Sequence, residues 1–499
     1  MKMKTIKYII VTCVMLLSAT SCMDDFLTEE VYSNLSPSNF YQTEEDAIAT
    51  VSAVYNNFQI FGNEWWNVGT SFMLMADAST DIMYTHWWAD FENYTFNSST
   101  GEIKNIWNWC YNTNNNANIA INRLPDIEMN AELKSRLIGE AKFLRAMNYF
   151  NLVRFWGDVP YIDYETKGFD DIKEVSRTPV SEVYTNIIQD LNDAITALPV
   201  SYADAKDKGR ATKGAAKALL GKVYLTRGWG GSPANIISAD LQLAVDQFEE
   251  LMATPYDYAI AADVKDVYDY TKENTPANGH IFSIQYTKQM GFEGSWLAQN
   301  MQAMELENAW WGYSAPESWV QGPGGYEIIW EEGWKPVPVD KRLSFLFEDY
   351  LDLWWYYWCK KWQYEKYLGW AEHPQNYTVI RYEDVLLMHS EALNELKANP
   401  DAEVVAGINL VRARAGVAEY LPADWTKATF RDEIQNERNR ELWGEGHAWF
   451  DYVRKGMLLD RMLAAGTDPS LIGAKNILYP VPQSEIEMNP SLLPQNTGW

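Results

Sequence analysis

Seventeen of the 23 tryptophans fall in two stretches, six in residues 58–111 and eleven in residues 292–370. Eight of them form four adjacent pairs: Trp65-Trp66, Trp87-Trp88, Trp310-Trp311 and Trp354-Trp355. An indole face stacks on the C–H face of a sugar ring and shields it from water. Neighbouring carboxylates and amides then fix the hydroxyls, and a few well-placed polar groups give specificity. On these grounds the candidate platform rings are Trp65, Trp66, Trp87 and Trp88 in the first stretch, and Trp296, Trp310, Trp311, Trp319, Trp330 and Trp334 in the second. Candidate polar partners are Asn63, Glu64, Asp90, Asn93, Glu327 and Glu332. The opposing expectation is that most of these rings are core, since Trp is highly buried on average. Consecutive residues of an extended chain point opposite ways, so one ring of a pair is free to face outward. The run from Trp354 to Trp362 reads instead as an amphipathic helix packed on the scaffold.

A second constellation is charged: Arg438, Arg440, Glu441, Glu445, Asp451 and Arg454. Glu441 and Glu445 lie four apart, on one helical face, and paired carboxylates do acid–base work on glycosides. The interleaved arginines would keep both carboxylates ionised, which suits a general acid badly. A structural ion-pair network is the favoured reading. The chain has five His, including His447, and no H-E-x-x-H motif, so no metal site is expected. G-x-G-x-x-G, P-loop, G-x-S-x-G and C-x-x-C patterns are absent, and the glycines between Gly214 and Lys222 have the wrong spacing for a P-loop. No cofactor is expected. So acidic a chain offers carboxylates to calcium, although no D-x-[DN]-x-[DN]-G loop occurs.

The composition, 47% hydrophobic and 22% charged over 499 residues, is that of a globular chain with a large core. The formal net charge of -27 argues against a nucleic-acid partner, which needs a basic face. It also disfavours adsorption to anionic lipid.

The chain opens with Lys2, Lys4 and Lys7, then an apolar run from Tyr8 to Leu17, then Ser18, Ala19, Thr20, Ser21 and Cys22. This is a secretory signal peptide over residues 1–21. Small residues directly before a cysteine match a bacterial lipobox, so Cys22 is expected to be acylated and to anchor the mature chain in a membrane. No later segment has 18 consecutive apolar residues. Cys110 and Cys359 either pair in an oxidising compartment or stay as two buried thiols, the latter being favoured.

The elements that must position these groups are mostly helical. Residues 132–155 place Leu137, Ala141, Leu144, Met147 and Phe150 at helical spacing. Residues 177–198 repeat the pattern with Pro179 near the helix start. Further helices are predicted over 213–227, 239–253, 380–398, 402–415 and 429–446. His280 to Tyr286 alternates as a strand. Leu220-Gly221-Lys222-Val223-Tyr224 matches the L-G-x-x-Y core of a tetratricopeptide repeat, and Ala244 with Phe248 matches the A-x3-F of its second helix. About eleven extra residues separate them relative to the 34-residue unit. Ala146 with Tyr149 is a weaker second copy. The expected fold is mostly α: a helical scaffold with tetratricopeptide-like helix pairs and long irregular insertions carrying few short strands.

Several blocks resemble the SusD/RagB family. They are Cys22-Met23-Asp24-Asp25-Phe26-Leu27, residues 139–160 (GEAKFLRAMNYFNLVRFWGDVP) and residues 209–226. Asp340-Lys341-Arg342, Tyr382 to Ala392, and Asn409 to Gly416 follow in order. Residues 437–456 (ERNRELWGEGHAWFDYVRKG) match a further block, with Ala448 where the family often has Arg, and the chain ends LYPVPQSEIEMNPSLLPQNTGW. The resemblance implies one SusD-like unit over residues 22–499, with an N-terminal helical part, 22–230, and a C-terminal part, 231–499, carrying an aromatic-rich insertion at about 290–370. It implies a binding protein without catalysis: an outer-membrane lipoprotein facing the cell exterior, with Asp24-Asp25 resembling a surface-export signal. Its expected partner is a SusC-like TonB-dependent transporter, to which it would deliver oligosaccharides. A peptide or other nutrient is the alternative ligand, and a surface glycoside hydrolase the remote alternative.

Overall fold

The computed structural model describes residues 40–60, 66–85, 88–287, 294–295, 313–320, 324–326, 328–331, 335–349, 356–359, 361–362 and 373–499. The leader, Cys22 and Asp24-Asp25 lie outside these residues.

Helices carry the architecture. The principal ones are α1 (Glu44–Asn57), α2 (Trp66–Met73), α3 (Gly101–Arg123), α4 (Ala131–Trp156), α5 (Val180–Ala197), α6 (Lys213–Gly228), α7 (Ser238–Met252), α8 (Tyr382–Leu396), α9 (Ala402–Ala415), α10 (Lys427–Leu442) and α11 (Ala448–Lys455). Every helix read from periodicity is present, with ends shifted by a few residues. The start of α4 follows from its cap: Asn130 Oδ1 accepts from the Leu133 amide at 2.9 Å. Its end follows from Gly157, at φ +72°, where a side chain would be strained. Leu137, Ala141, Leu144, Met147 and Phe150 are all buried.

The α6–α7 pair behaves as the repeat signature implies. A Cβ on Gly221 would lie 2.4 Å from the Phe248 ring, so only glycine lets the two helices close to this separation. The extra residues of the unit form the connection between α6 and α7, with Gly230 and Gly231 both at positive φ. The weaker copy is likewise a helix pair: α4 packs on α5, and Ala146 and Tyr149 are buried. One continuous apolar cluster runs from Val54 to Leu492 and joins these layers. Cys110 is a free thiol, buried in α3.

The strands are short. They are β1 (Tyr84–Thr85), β2 (His280–Ile284), β3 (Tyr313–Pro316), β4 (Ile328–Glu331), β5 (Lys335–Pro338), β6 (Phe347–Asp349), β7 (Tyr356–Cys359) and β8 (Tyr377–Arg381). The anticipated strand at 280 is β2, antiparallel to β8 and buried throughout. One expectation fails. The run from Trp354 to Trp362 is not a helix, because Tyr356–Cys359 is β7, paired with β3 on one side and β6 on the other. Tyr and Trp fit a pleated surface, and the two flanking strands pair the backbone of β7 on both sides.

Charge holds the C-terminal helices together. Arg342, Arg381 and Arg414 converge on Glu441, while Arg381 and Lys361 reach Glu445. Arg438 and Arg454 bind Asp451 at 2.7 and 2.9 Å. All these residues are buried except Arg414, whose side chain is nonetheless only 3% exposed. The guanidinium and ammonium groups around them outweigh burial and hold Glu445 and Glu391 down at about 2. Glu441 and Asp451 are held well below the usual carboxylate range by the same cause. The charged block is thus a structural network, and its carboxyls are ionised and sealed from solvent.

Candidate functional site

The two ring-rich stretches are joined through the backbone. A four-stranded antiparallel sheet runs in the order β1-β3-β7-β6, with Tyr84 opposite Ser314 and Thr85 opposite Tyr313. β1 comes from the first stretch and the other three strands from the second, about 230 residues later in the chain. Because β1 and β3 are antiparallel, the end of β1 faces the start of β3. Trp88 follows Thr85 by three residues, and Trp310-Trp311 precede Tyr313 by two to three. The end of β1 and the start of β3 therefore lie side by side at one end of the sheet.

The segment after β1 alternates between anchored and exposed residues. Phe91, Tyr94 and Phe96 are buried, while Asp90, Asn93 and Thr95 are exposed. Phe91 stacks on Phe96 with centroids 5.3 Å apart. The Tyr94 hydroxyl donates to the Ser79 carbonyl at 2.5 Å, and its backbone sits at φ +56°, a conformation that a non-glycine residue adopts at a cost. Asn93 ends the one-turn helix Ala89–Glu92. The candidates Asp90 and Asn93 thus stand on a pinned, strained loop with their side chains in solvent, Asp90 accepting from the Thr95 hydroxyl.

Trp88 is half-buried. Its indole Nε1 donates to Glu102 Oε1 at 3.0 Å, and its amide donates to Thr85 Oγ1 at 3.1 Å. These bonds fix the ring at the start of α3. Glu92 accepts from the Thr85 amide, and burial pushes its carboxyl up to about 7. Neither Glu92 nor Glu102 was singled out from sequence. Glu102 is fourteen residues from its ring, and no local spacing signals that contact.

The remaining ring candidates divide. Trp319 is only 6% exposed and packs edge-to-face on Tyr326 at 5.6 Å, so it sits in the core. Trp330 lies on β4, opposite Pro336 of β5. The side chains of Trp66 and Trp330 are outside the described residues, as are Trp65, Trp87, Trp296, Trp310, Trp311 and Trp334 altogether. Asn63, Glu64, Glu327 and Glu332 lie outside them too. Two further rings of the first stretch, Trp107 and Trp109, are core. Among the described residues no cluster of three His, Cys, Asp or Glu is arranged to hold a metal ion, and no helix is long and apolar enough to cross a membrane.

Comparison with known proteins gives two family matches. Residues 25–225 match a family described as starch-binding and associating with the outer membrane, and residues 349–499 match the SusD family. A SusD-like protein of Formosa agariphila is 27% identical over 99% of this chain and 100% of its own length. A solved laminarin-binding SusD-like protein is 26% identical, with a TM-score of 0.71 over 92% of this chain and all of the other. A SusD superfamily structure from Parabacteroides distasonis is 24% identical, with a TM-score of 0.73 over 91% and 99% of the two chains, and shares the fold. The candidates from Trp296 to Trp334 fall between the two family matches.

Proposed function

Because the chain belongs to the SusD family, we propose that it is a carbohydrate-binding protein of the outer membrane that captures oligosaccharides at the cell exterior. The observation that supports this reading is the β1–β3 pairing, which joins a strand from each of the two tryptophan-rich stretches. Rings of these two stretches would offer flat faces to pyranose C–H groups, while Asp90 and Asn93 would offer polar groups to the hydroxyls. The relative that binds laminarin supports a glycan as the ligand. Acylation of Cys22 would tether the chain, and a SusC-like TonB-dependent transporter would receive the ligand.

The protein binds and does not turn over its ligand in this reading. The Glu441–Glu445 pair is ionised and buried, and so can neither protonate a leaving group nor touch a glycan. The test is calorimetry of the protein beginning at Met23 against laminarin, other neutral glycans and control peptides. Glycan binding without reducing-sugar release is expected. Peptide binding with silence on every glycan would overturn the reading, and released reducing sugar would replace it with a hydrolase.

A further inference from the structure

Each arginine of the charged network meets at least one carboxylate, Arg438 at Asp451 and Arg454 at Glu391 among them. Arg154, in the last turn of α4, forms no ion pair among the described residues. Its guanidinium stands over the rings of Phe150 and Phe450, with Cζ 4.1 and 3.7 Å from their centroids. Ring faces steady the plane of the cation but give its edge no acceptor. Along that edge Nε donates to the Phe150 carbonyl at 3.1 Å and Nη2 donates to Asn151 Oδ1, while Nη1 has no partner. Burial pushes the group down to about 9, against weaker pulls from the Tyr184 hydroxyl and from Asp451 and Asp384, neither of which pairs with it. A buried charge is ordinarily paired, and this one is not.

Arg154 lines a cavity of about 60 Å³ enclosed by α4, α6, β8 and the turn before α11, and Asn151, Lys222 and His447 line it too. Lys222 Nζ donates to Asp384 Oδ2 and to His447 Nδ1, each at 3.0 Å. Burial and the Lys222 ammonium push His447 down to about 3, so its ring is neutral and, accepting at Nδ1, carries its hydrogen on Nε2. That Nε2 has no partner among the described residues. Asn151 spends its Oδ1 on Arg154, which leaves the Nδ2 hydrogens free. None of these free N–H groups is sealed off by its neighbours. Arg154 is partly exposed, Lys222 shows 11% of its side chain, and His447 and Asn151 are 7% exposed. The one carboxylate lining the cavity among the described residues, Glu445, is already held by Arg381 and Lys361. The rest of the wall is largely apolar, with Phe58, Trp109, Leu219 and Ile380.

Free donors, an unmatched cation and no free carboxylate make the chemistry of an anion site. Lys222 is matched by Asp384, so Arg154 alone supplies an uncompensated charge, which sets the ligand's charge at one. The volume is several times the roughly 10–15 Å³ that one water needs, and far below the roughly 300 Å³ of a small-molecule pocket. We propose that this cavity binds one small monovalent anion, a halide or a short carboxylate, between the Arg154 guanidinium and His447 Nε2. Asn151, Arg154 and Lys222 belong to the first family match and His447 to the second. The bound anion therefore ties the N-terminal helices to the C-terminal block at a point where the protein's own carboxylates do not.

The test starts from the protein beginning at Met23, exchanged into sodium gluconate, whose anion is too large for the cavity. Replacing gluconate by chloride or acetate at constant ionic strength should raise the melting temperature along a saturating curve, as a ligand that binds only the folded chain does. The chloride NMR line should broaden when protein is added. A response to chloride alone assigns a halide, and a response to acetate as well assigns a site open to a short carboxylate; both support the proposal. Asn151→Asp places a carboxylate where Oδ1 already meets Arg154, so an internal charge replaces the anion. Its anion affinity should fall about tenfold or more, the loss expected of a bond to a charged group, and in gluconate it should melt no lower than the unmodified chain. Arg154→Met removes the cation and should abolish the response; if that variant does not fold, Asn151→Asp and the line width decide. Equal melting temperatures in all three salts with an unbroadened chloride line would overturn the site and leave water in the cavity. A saturating response that survives in Asn151→Asp would put the anion elsewhere and overturn it too.

Discussion

The buried charged network and the ring-rich sheet edge solve opposite problems with opposite materials. In the network, Arg381 joins Glu441, Glu445 and Glu383 with 1% of its side chain exposed, and every bond is internal. Such a cluster fixes how β8, α8, α10 and the turn at Glu445 meet. Where β1 meets β3 the strands pair through the backbone, and the loop that follows β1 keeps Asp90 and Asn93 exposed. The blocks that carry the family resemblance belong to the first region. Arg145 grips Asp190 through two bonds of 2.8 Å. Asn496 Nδ2 donates to the Trp156 and Tyr479 carbonyls, tying the C-terminal motif to the end of α4. Those motifs specify a body.

The largest effect should come from cutting the network. Arg381→Ala leaves Glu441 and Glu445 buried with fewer counter-charges, a change that costs roughly 3–5 kcal/mol. Urea unfolding should report that loss, and any folded fraction should bind glycan with unchanged affinity. A loss of affinity at full stability would break the division between the two regions. The converse experiment is Trp310→Ala with Trp311→Ala. Glycan affinity should fall at least tenfold, about 1.4 kcal/mol, while stability stays within about 0.5 kcal/mol. A collapse in stability with intact binding would make those rings core, as Trp319 is.

Acid separates the regions by sign. Glu391 and Glu445 are held at about 2 in the folded chain, below the ordinary carboxylate range. The stability they contribute is fully present above about pH 4.5 and is lost as pH falls toward 2. Glu92 is pushed the other way, to about 7, so the folded state binds its proton more readily than the unfolded chain does. Its carboxyl therefore weakens the loop after β1 as pH rises from about 4.5 through 7. Hydrogen exchange on residues 84–96 should show tighter protection at pH 5 than at pH 8, and Glu92→Gln should abolish the difference. A loop whose protection does not respond to pH in the unmodified chain would refute this assignment.

Much of the scaffold was legible because amphipathic periodicity repeats over many turns, and several helix starts, such as those after Asn130, Thr212 and Asp401, carry a side-chain cap. Gly221 beneath Phe248 needed only a motif of small and large residues to be anticipated. The sheet edge was not legible. β1 is two residues long and has no alternation to read, and its partner lies about 230 residues away. β7 was misread as a helix because a run of aromatic residues has no period, and only its two flanking strands decide its state. Which rings face solvent was likewise illegible, since Trp319 and Trp88 look alike in sequence. One is edge-on to Tyr326 in the core; the other is half-buried at the start of a helix.

Trp88 stands on the border between the two regions, and the smallest predicted effect concerns it. Its Nε1 bond to Glu102 ties it to the scaffold, while its half-exposed ring and its place after β1 put it with the site. Trp88→Phe keeps an aromatic face but removes the donor, which should cost about 1 kcal/mol of stability. Glu102→Gln retains an acceptor and should cost less. If the ring face meets the glycan, Phe should hold affinity within about threefold and Ala should lower it about tenfold, because stacking depends on the face and the hydrogen bond only aims it. If Phe and Ala both leave affinity untouched while stability falls, Trp88 belongs to the scaffold, and the site begins with the residues beyond β1 that carry no such tether.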